Sequence, residues 1–199
     1  MKAVVSIIFS SVLMCLSFTF SVNGTEQDIL PDKSVYHIES TWQDQSATKF
    51  NIKDLQGKVR LVAFIYTYCE HTCPVIITRI KSILNELPPQ LLAKTAVTLV
   101  SLDPERDTVE RVKIYMQEHH LDNQGWQILV GDPDDVLSLA ALFDVRYKPM
   151  GESDIEHANT ISLLDQNGVI QEQLKGLRQD SKQLVERLIE LTQLPDLQN

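Results

Sequence analysis

The stretch "KVRLVAFIYTYCEHTCPVIITRIKSILNEL", residues 58–87, decides the fold. Val59–Tyr66 is a nearly continuous run of aliphatic, β-branched and aromatic residues, which is typical of a strand buried on both faces of a sheet. Apolar residues then recur at helical spacing over Val75–Leu87. Pro74 suits the first turn of a helix, because its missing N–H has no partner there in any case. The stretch therefore predicts a buried strand, a short loop and a helix.

Strands and helices alternate through the rest of the chain. The runs "KTAVTLVSLD" and "WQILVGD" predict buried strands, and "TVERVKIYMQEHH", "DPDDVLSLAALFDV" and "DSKQLVERLIELTQL" predict helices. An Asn-Gly pair in "HANTISLLDQNGVIQEQLKG" is a strong hairpin signal. Upstream, "SVYHIES" alternates as an edge strand would, and "TWQDQSATKFNI" predicts a hairpin. This order predicts one α/β domain, with a central mixed β-sheet flanked by helices on both faces.

The N-terminus has the pattern of a targeting segment. Lys2 precedes an uncharged, mainly apolar run from Ala3 to Val22. We interpret residues 1–24 as a signal peptide cleaved after Gly24 or, alternatively, as a membrane anchor. Residues 25–34 then form a linker and residues 35–195 the domain. Either alternative predicts an exported protein, which is soluble in the periplasm or anchored to the inner membrane.

The charge balance limits the class of partner. The chain of 199 residues has a formal net charge of −9. A nucleic-acid-binding domain is expected to carry a basic footprint, so nucleic acid is excluded as a partner.

Two cysteines remain once the targeting segment is set aside. Cys15 lies in that segment, whereas Cys69 and Cys73 lie between the predicted buried strand and the helix. A helix N-terminus presents free N–H groups and partial positive charge, which lower a thiol pKa. A structural disulfide here would close a very small loop and remove little chain entropy. The position favours a reactive or metal-binding pair over a structural disulfide.

Three motifs, taken together, resemble one family. "FIYTYCEHTCP", "SLDPERDT" and "EHANTISLLDQNGVI" occur in the order and spacing of the Sco (SenC) copper proteins, which assemble the copper site of cytochrome c oxidase. The resemblance runs from about residue 35 to 192. It implies a thioredoxin-like fold.

The resemblance also implies a ligand set. The copper ligands of the family fall on Cys69, Cys73 and His157. Two soft thiolates suit Cu(I), with Cu(II) as a further state, and an imidazole completes a three-coordinate site. Ligand types alone leave zinc open, although structural zinc usually takes a fourth protein ligand.

Two further positions are secondary candidates. The family usually has Pro-Asp after the first cysteine, whereas this chain has Glu70 and His71. His71 is therefore an alternative ligand, or a base that activates a thiol. Asp103 is expected to support the site or dock a partner, and Asp107 or Thr108 is expected to cap the following helix.

These observations predict a metallochaperone rather than an enzyme. It would pass copper to the copper-bearing subunit of cytochrome c oxidase or to another copper carrier. The main alternative is a thiol–disulfide oxidoreductase that reduces cysteines of such a target, and a third is a thiol peroxidase. His157 distinguishes the first two, because a dithiol exchanger needs a cis-proline, for which Pro149 is a candidate, but no histidine ligand.

Overall fold

The computed structural model of the protein describes residues 30–121, 125–151 and 154–193. The predicted signal peptide or anchor, residues 1–24, and the first half of the predicted linker, residues 25–29, lie outside the described residues. Within them, no helix combines the length and the apolar character needed to cross a bilayer.

Strands and helices alternate as the sequence predicts. The strands are β1 (Thr41–Gln43), β2 (Lys49–Asn51), β3 (Val59–Ile65), β4 (Thr95–Ser101), β5 (Trp126–Gly131), β6 (Tyr147–Met150), β7 (Asp154–His157), β8 (Thr160–Leu164) and β9 (Ile170–Lys175). The helices are α1 (Thr72–Asn85), α2 (Pro89–Leu92), α3 (Val109–Glu118), α4 (Pro133–Leu142) and α5 (Lys182–Gln193).

Seven strands form one mixed sheet in the order β2-β1-β5-β4-β3-β8-β9. The pairs β3/β4 and β4/β5 are parallel, and the other neighbours are antiparallel. Strands β6 and β7 form a separate antiparallel pair, the β6–β7 ribbon. The predicted central mixed sheet is confirmed.

Strand β3 lies inside the sheet and has all seven of its residues buried. Leu61, Ala63 and Ile65 face a core shared with α1, α3 and α5. Val62 and Phe64 face a second core, shared with α4 and with Val35 and Tyr36. Each large aliphatic side chain buried in this way contributes about 1.5–3 kcal/mol. The strand is therefore held firmly, and so is the loop that follows it.

The segment "SVYHIES" is not the predicted edge strand. Val35–His37 forms a single turn of 3-10 helix, which the Ser34 side chain caps by accepting the Tyr36 N–H. Val35 and Tyr36 are both buried, although a strand that alternates would bury only one of them. The Tyr36 ring packs against Gly168 of the β8–β9 turn, so a tertiary contact overrides the local alternation.

Two further differences concern proline. Helix α1 ends at Asn85, before Pro88, and Pro89 begins the short helix α2, which was not predicted. The β6–β7 ribbon was not predicted, because Pro149 within β6 argues against a strand. The ribbon stands outside the main sheet, where a missing N–H is tolerated.

The turn at Gly168 offers a test of packing. Gly168 has a φ of +78°, and a Cβ there would lie 2.5 Å from Cδ2 of Tyr36. Gly176 has a φ of +90° and no atom within 4 Å of an added Cβ. We expect Gly168→Ala to lower the free energy of unfolding by about 2–4 kcal/mol, from backbone strain plus overpacking. Gly176→Ala should cost only the strain, about 1–2 kcal/mol. Equal losses in urea denaturation would contradict this packing.

Candidate metal centre

The loop between β3 and α1 places the two cysteines. Cys69 lies in the loop and Cys73 is the second residue of α1; both are buried free thiols. The Cys73 N–H donates to Cys69 Sγ at 3.3 Å, whereas His71, which precedes the helix, makes no capping hydrogen bond. The Cys69 sulfur thus takes the place of a capping side chain at the positive end of α1.

The two thiols have opposite electrostatics. A hydrogen bond from Cys73 lowers the pKa of Cys69, and Thr72 contributes a smaller effect in the same direction. The hydrogen bond to Cys69 and burial raise the pKa of Cys73. Of the two thiols, Cys69 therefore loses its proton more readily than Cys73. A soft anionic donor is ready beside a second thiol.

His157, the last residue of β7, completes the cluster. Its Nε2 lies 3.7 Å from Cys73 Sγ, and its Nδ1 lies 3.2 Å from the carbonyl oxygen of Ala158. A carbonyl only accepts, so Nδ1 carries the hydrogen and the lone pair of Nε2 faces the sulfur. The hydrogen bond from Nδ1 to the Ala158 carbonyl orients the ring, as such a bond usually does in metal-binding histidines.

The spacing fits two ligands of one ion. Metal–sulfur and metal–nitrogen bonds of about 2.3 and 2.05 Å, as in zinc sites, place S and N about 3.5–3.8 Å apart at angles of 109–120°. The observed 3.7 Å between Cys73 and His157 falls in this range. Over the described part of the chain, however, no set of three or more His, Cys, Asp or Glu side chains is already arranged to hold a metal.

A hydrogen bond joins the β6–β7 ribbon to the strand that carries the cysteine loop. The Tyr66 hydroxyl donates to the carboxylate of Asp154, and the Tyr66 ring meets the His157 ring edge-on at 6.1 Å between centroids. Burial, followed by the bond to Asp154, raises the pKa of Tyr66, so the hydroxyl remains a donor. Neither role was predicted: Tyr66 ends an apolar run, and no local signal marks Asp154.

Asp107 does not cap helix α3 as predicted. The cap is Thr108, whose hydroxyl accepts the Arg111 N–H at 3.3 Å. The Asp107 carboxylate is fully buried and accepts from the Thr67 N–H at 3.2 Å, the Thr67 hydroxyl at 2.5 Å and the Ser101 hydroxyl at 2.6 Å. These bonds fix Thr67, which follows β3 and lies two positions before Cys69.

Asp103 reaches the cysteine loop only indirectly. Its carboxylate accepts a hydrogen bond from Arg106, whose guanidinium lies 5.3 Å from the ring centroid of Tyr68. Arg111 lies 5.2 Å from the same ring and also donates to the Thr67 carbonyl at 2.9 Å. These contacts connect Asp103 to the cysteine loop through Arg106 and Tyr68 and leave it outside the cluster of Cys69, Cys73 and His157.

A cleft of about 850 Å³ opens over Cys69 and His157. His71 lines it and is exposed, but the contacts bring His157, not His71, against Cys73. Pro149 lies in β6 opposite Ile155, and its peptide bond is trans, so the expectation of a cis-proline there is wrong. The cleft is lined by Tyr66, Tyr68, Cys69, Glu70, His71, Thr72, Arg106, Met150, Asp154, Ile155, Glu156, His157 and Asn159.

Known proteins resemble this chain over most of its length. A family model described as SCO1/SenC matches residues 32–193. The SCO1 protein homolog of Bacillus subtilis is 25% identical over 152 residues, which cover 74% of this chain and 78% of that protein.

Solved structures with similar folds carry the same family name. ScoI of Bradyrhizobium japonicum with copper bound is 25% identical, with a TM-score of 0.62 over 76% of this chain and 96% of that one. ScoI of Arabidopsis thaliana with copper bound is 21% identical, with a TM-score of 0.65 over 76% and 94%. The predicted thioredoxin-like fold is confirmed.

The buried carboxylate of Asp107 should matter more to stability than an exposed carboxylate at a helix start. We expect Asp107→Ala to lower the free energy of unfolding by about 3 kcal/mol, because the Thr67 N–H and the Ser101 hydroxyl lose their acceptor. Asp132 precedes α4 and its side chain makes no capping hydrogen bond. Asp132→Ala should therefore change the free energy of unfolding by less than about 0.5 kcal/mol. Chemical denaturation measures both variants.

Asp107→Ala should also loosen the cysteine loop. Alkylation of Cys69 in the folded, reduced protein should be faster in Asp107→Ala than in Asp132→Ala. An unchanged alkylation rate would show that Asp107 does not hold the loop.

Proposed function

The chain belongs to the SCO1/SenC family, and we propose that it is an exported copper chaperone. It would bind Cu(I) through Cys69, Cys73 and His157, and deliver it to the copper site of a cytochrome c oxidase. The approach of His157 Nε2 to within 3.7 Å of Cys73 Sγ carries this proposal. That contact joins an imidazole to the thiol pair, and a metal site needs this group whereas a dithiol exchanger does not.

Each residue has a separate part in capture. Cys69 meets the ion as a thiolate, and Cys73 gives up its proton to water as its sulfur becomes a second ligand. His157 presents the lone pair of Nε2 because the Ala158 carbonyl holds the hydrogen on Nδ1. Thiolate donors prefer Cu(I), and the set of two thiolates and one imidazole can also hold Cu(II).

The open cleft suits release of the metal to another protein. A cargo ion must be reachable by the ligands of the acceptor, and the cleft leads from solvent to Cys69 and His157. Delivery then proceeds by exchange of one ligand at a time, without a change in the oxidation state of copper. We propose the copper-bearing subunit of the oxidase, or a second copper carrier, as the partner.

Export is part of the proposal. The uncharged run from Ala3 to Val22, preceded by Lys2, supports translocation across the inner membrane. N-terminal sequencing of protein from the periplasmic and membrane fractions should find residue 25 if the segment is cleaved after Gly24, and Met1 if it is retained as an anchor. Accumulation in the cytoplasm alone would contradict export.

One observation favours a second candidate, a thiol–disulfide oxidoreductase. The lowered pKa of Cys69 is a property of attacking thiols in exchange reactions. In that function the Cys69 sulfur attacks a disulfide of the target, Cys73 resolves the mixed disulfide, and the chain leaves oxidised. An external thiol reductant would then restore the pair. His157 has no role in these steps, so the reductase accounts for less of the site.

Anaerobic copper titration tests the two candidates. The reduced wild type should bind about one Cu(I), and Cys69→Ser or Cys73→Ser should abolish tight binding. His157→Ala should weaken it by about 10–100-fold while leaving both thiols titratable. His71→Ala is the matched control, since its imidazole lines the same cleft without contacting Cys73.

The pattern across these variants decides the assignment. Unchanged affinity in His157→Ala together with a large loss in His71→Ala would reverse the choice of imidazole. Turnover on a protein disulfide without copper affinity would support the oxidoreductase instead.

A further inference from the structure

Met150 is a soft donor at the mouth of the cleft. The sequence contains four methionines, and two of them, Met116 and Met150, lie beyond residues 1–24. Met116 is buried in the core, with 4% of its surface exposed, whereas Met150 is 49% exposed and lines the same cleft as Cys69 and His157. A large apolar side chain in this position gains little from burial, so packing does not explain it.

A short chain of contacts links Met150 to the site. Met150 lies directly opposite Asp154 in the β6–β7 ribbon, so the two side chains share a face with Cβ atoms about 4.5–5.5 Å apart. Asp154 accepts a hydrogen bond from Tyr66, and the Tyr66 carbonyl accepts the Cys69 N–H at 3.2 Å. The flexible thioether of Met150 and the Cys69 sulfur therefore line one cleft and are connected through Asp154 and Tyr66.

The chemistry of the cleft mouth suits Cu(I). A thioether is a neutral, polarisable ligand that selects Cu(I) over harder cations. The imidazole of His71 lines the same cleft and is exposed to solvent. Neutral donors bind the ion more weakly than the thiolate pair beneath them, so an ion held at the mouth can move inward.

We propose that Met150, assisted by His71, forms an outer docking position for Cu(I), through which the ion enters and leaves the site of Cys69, Cys73 and His157. This inference rests on the proposed copper function. Copper remains Cu(I) throughout: one sulfur or nitrogen ligand replaces another, and any displaced thiol proton passes to water. The glutamate and aspartate side chains of the cleft then act only through their charge.

Transfer kinetics test the proposal. Stopped-flow measurements should follow Cu(I) moving from a small-molecule chelate to reduced, full-length protein. Met150→Leu keeps the size and apolar character but removes the sulfur, and it should slow loading by about tenfold. Met116→Leu, a buried control, should load at the wild-type rate. The equilibrium affinity should change by less than about threefold in both variants, because the inner ligands remain.

A second measurement detects the outer position directly. Ag⁺ is a closed-shell mimic of Cu(I), and the methionine methyl resonances of isotopically labelled protein report its binding. After the first equivalent fills the thiolate site, further Ag⁺ should shift the Met150 methyl signal and leave Met116 in place. His71→Ala should weaken this second binding step.

The outcomes separate the two proposals. Equal loading rates in Met150→Leu and Met116→Leu, with one Cu(I) bound by the wild type, would overturn the outer position and leave the chaperone function standing. A methyl signal of Met150 that does not respond to Ag⁺ would also overturn it. A wild type that takes no Cu(I) on its cysteines would overturn both.

Discussion

The buried carboxylate of Asp107 is the constraint on which the site depends. It accepts hydrogen bonds from Thr67, two residues after β3, and from Ser101, the last residue of β4. Burial raises the pKa of Asp107, and the hydrogen bonds from Ser101 and Thr67 oppose that shift. Two parallel strands and the start of α3 are thus joined at one point, and the cysteine loop leaves the sheet from there in a fixed direction.

The site consists of a rigid half and an attached half. The cysteines are held by the sheet edge, by the start of α1 and by the Arg106 and Arg111 side chains that flank Tyr68. His157 comes from the β6–β7 ribbon, which stands apart from the main sheet and is joined to Tyr66 through Asp154. For the copper delivery proposed above, this division would let the cysteine half keep its geometry while His157 yields its place to a ligand of the acceptor.

The sequence predicts those parts of the fold whose causes are local. The apolar run of β3, the helical spacing of α1 and the Thr108 cap each depend on neighbours in the chain, and all are found. The turn at Val35–His37 was missed because it depends on the contact of Tyr36 with Gly168, and the β6–β7 ribbon because its pattern is weak and contains a proline. The role of Asp107 depends on three elements meeting, which no spacing reveals. His157 could be selected only through family resemblance, because nothing local separates it from His71.

The separation of 84 residues between Cys73 and His157 also sets an order of events during synthesis. At translation rates of about 5–20 residues per second, the thiol pair is synthesised about 4–17 s before His157. Strand β8, which pairs with β3 and precedes the last helix, arrives later still. The cysteines are therefore made before the histidine and before the strand that completes that side of the sheet, so the cluster can assemble only late in synthesis.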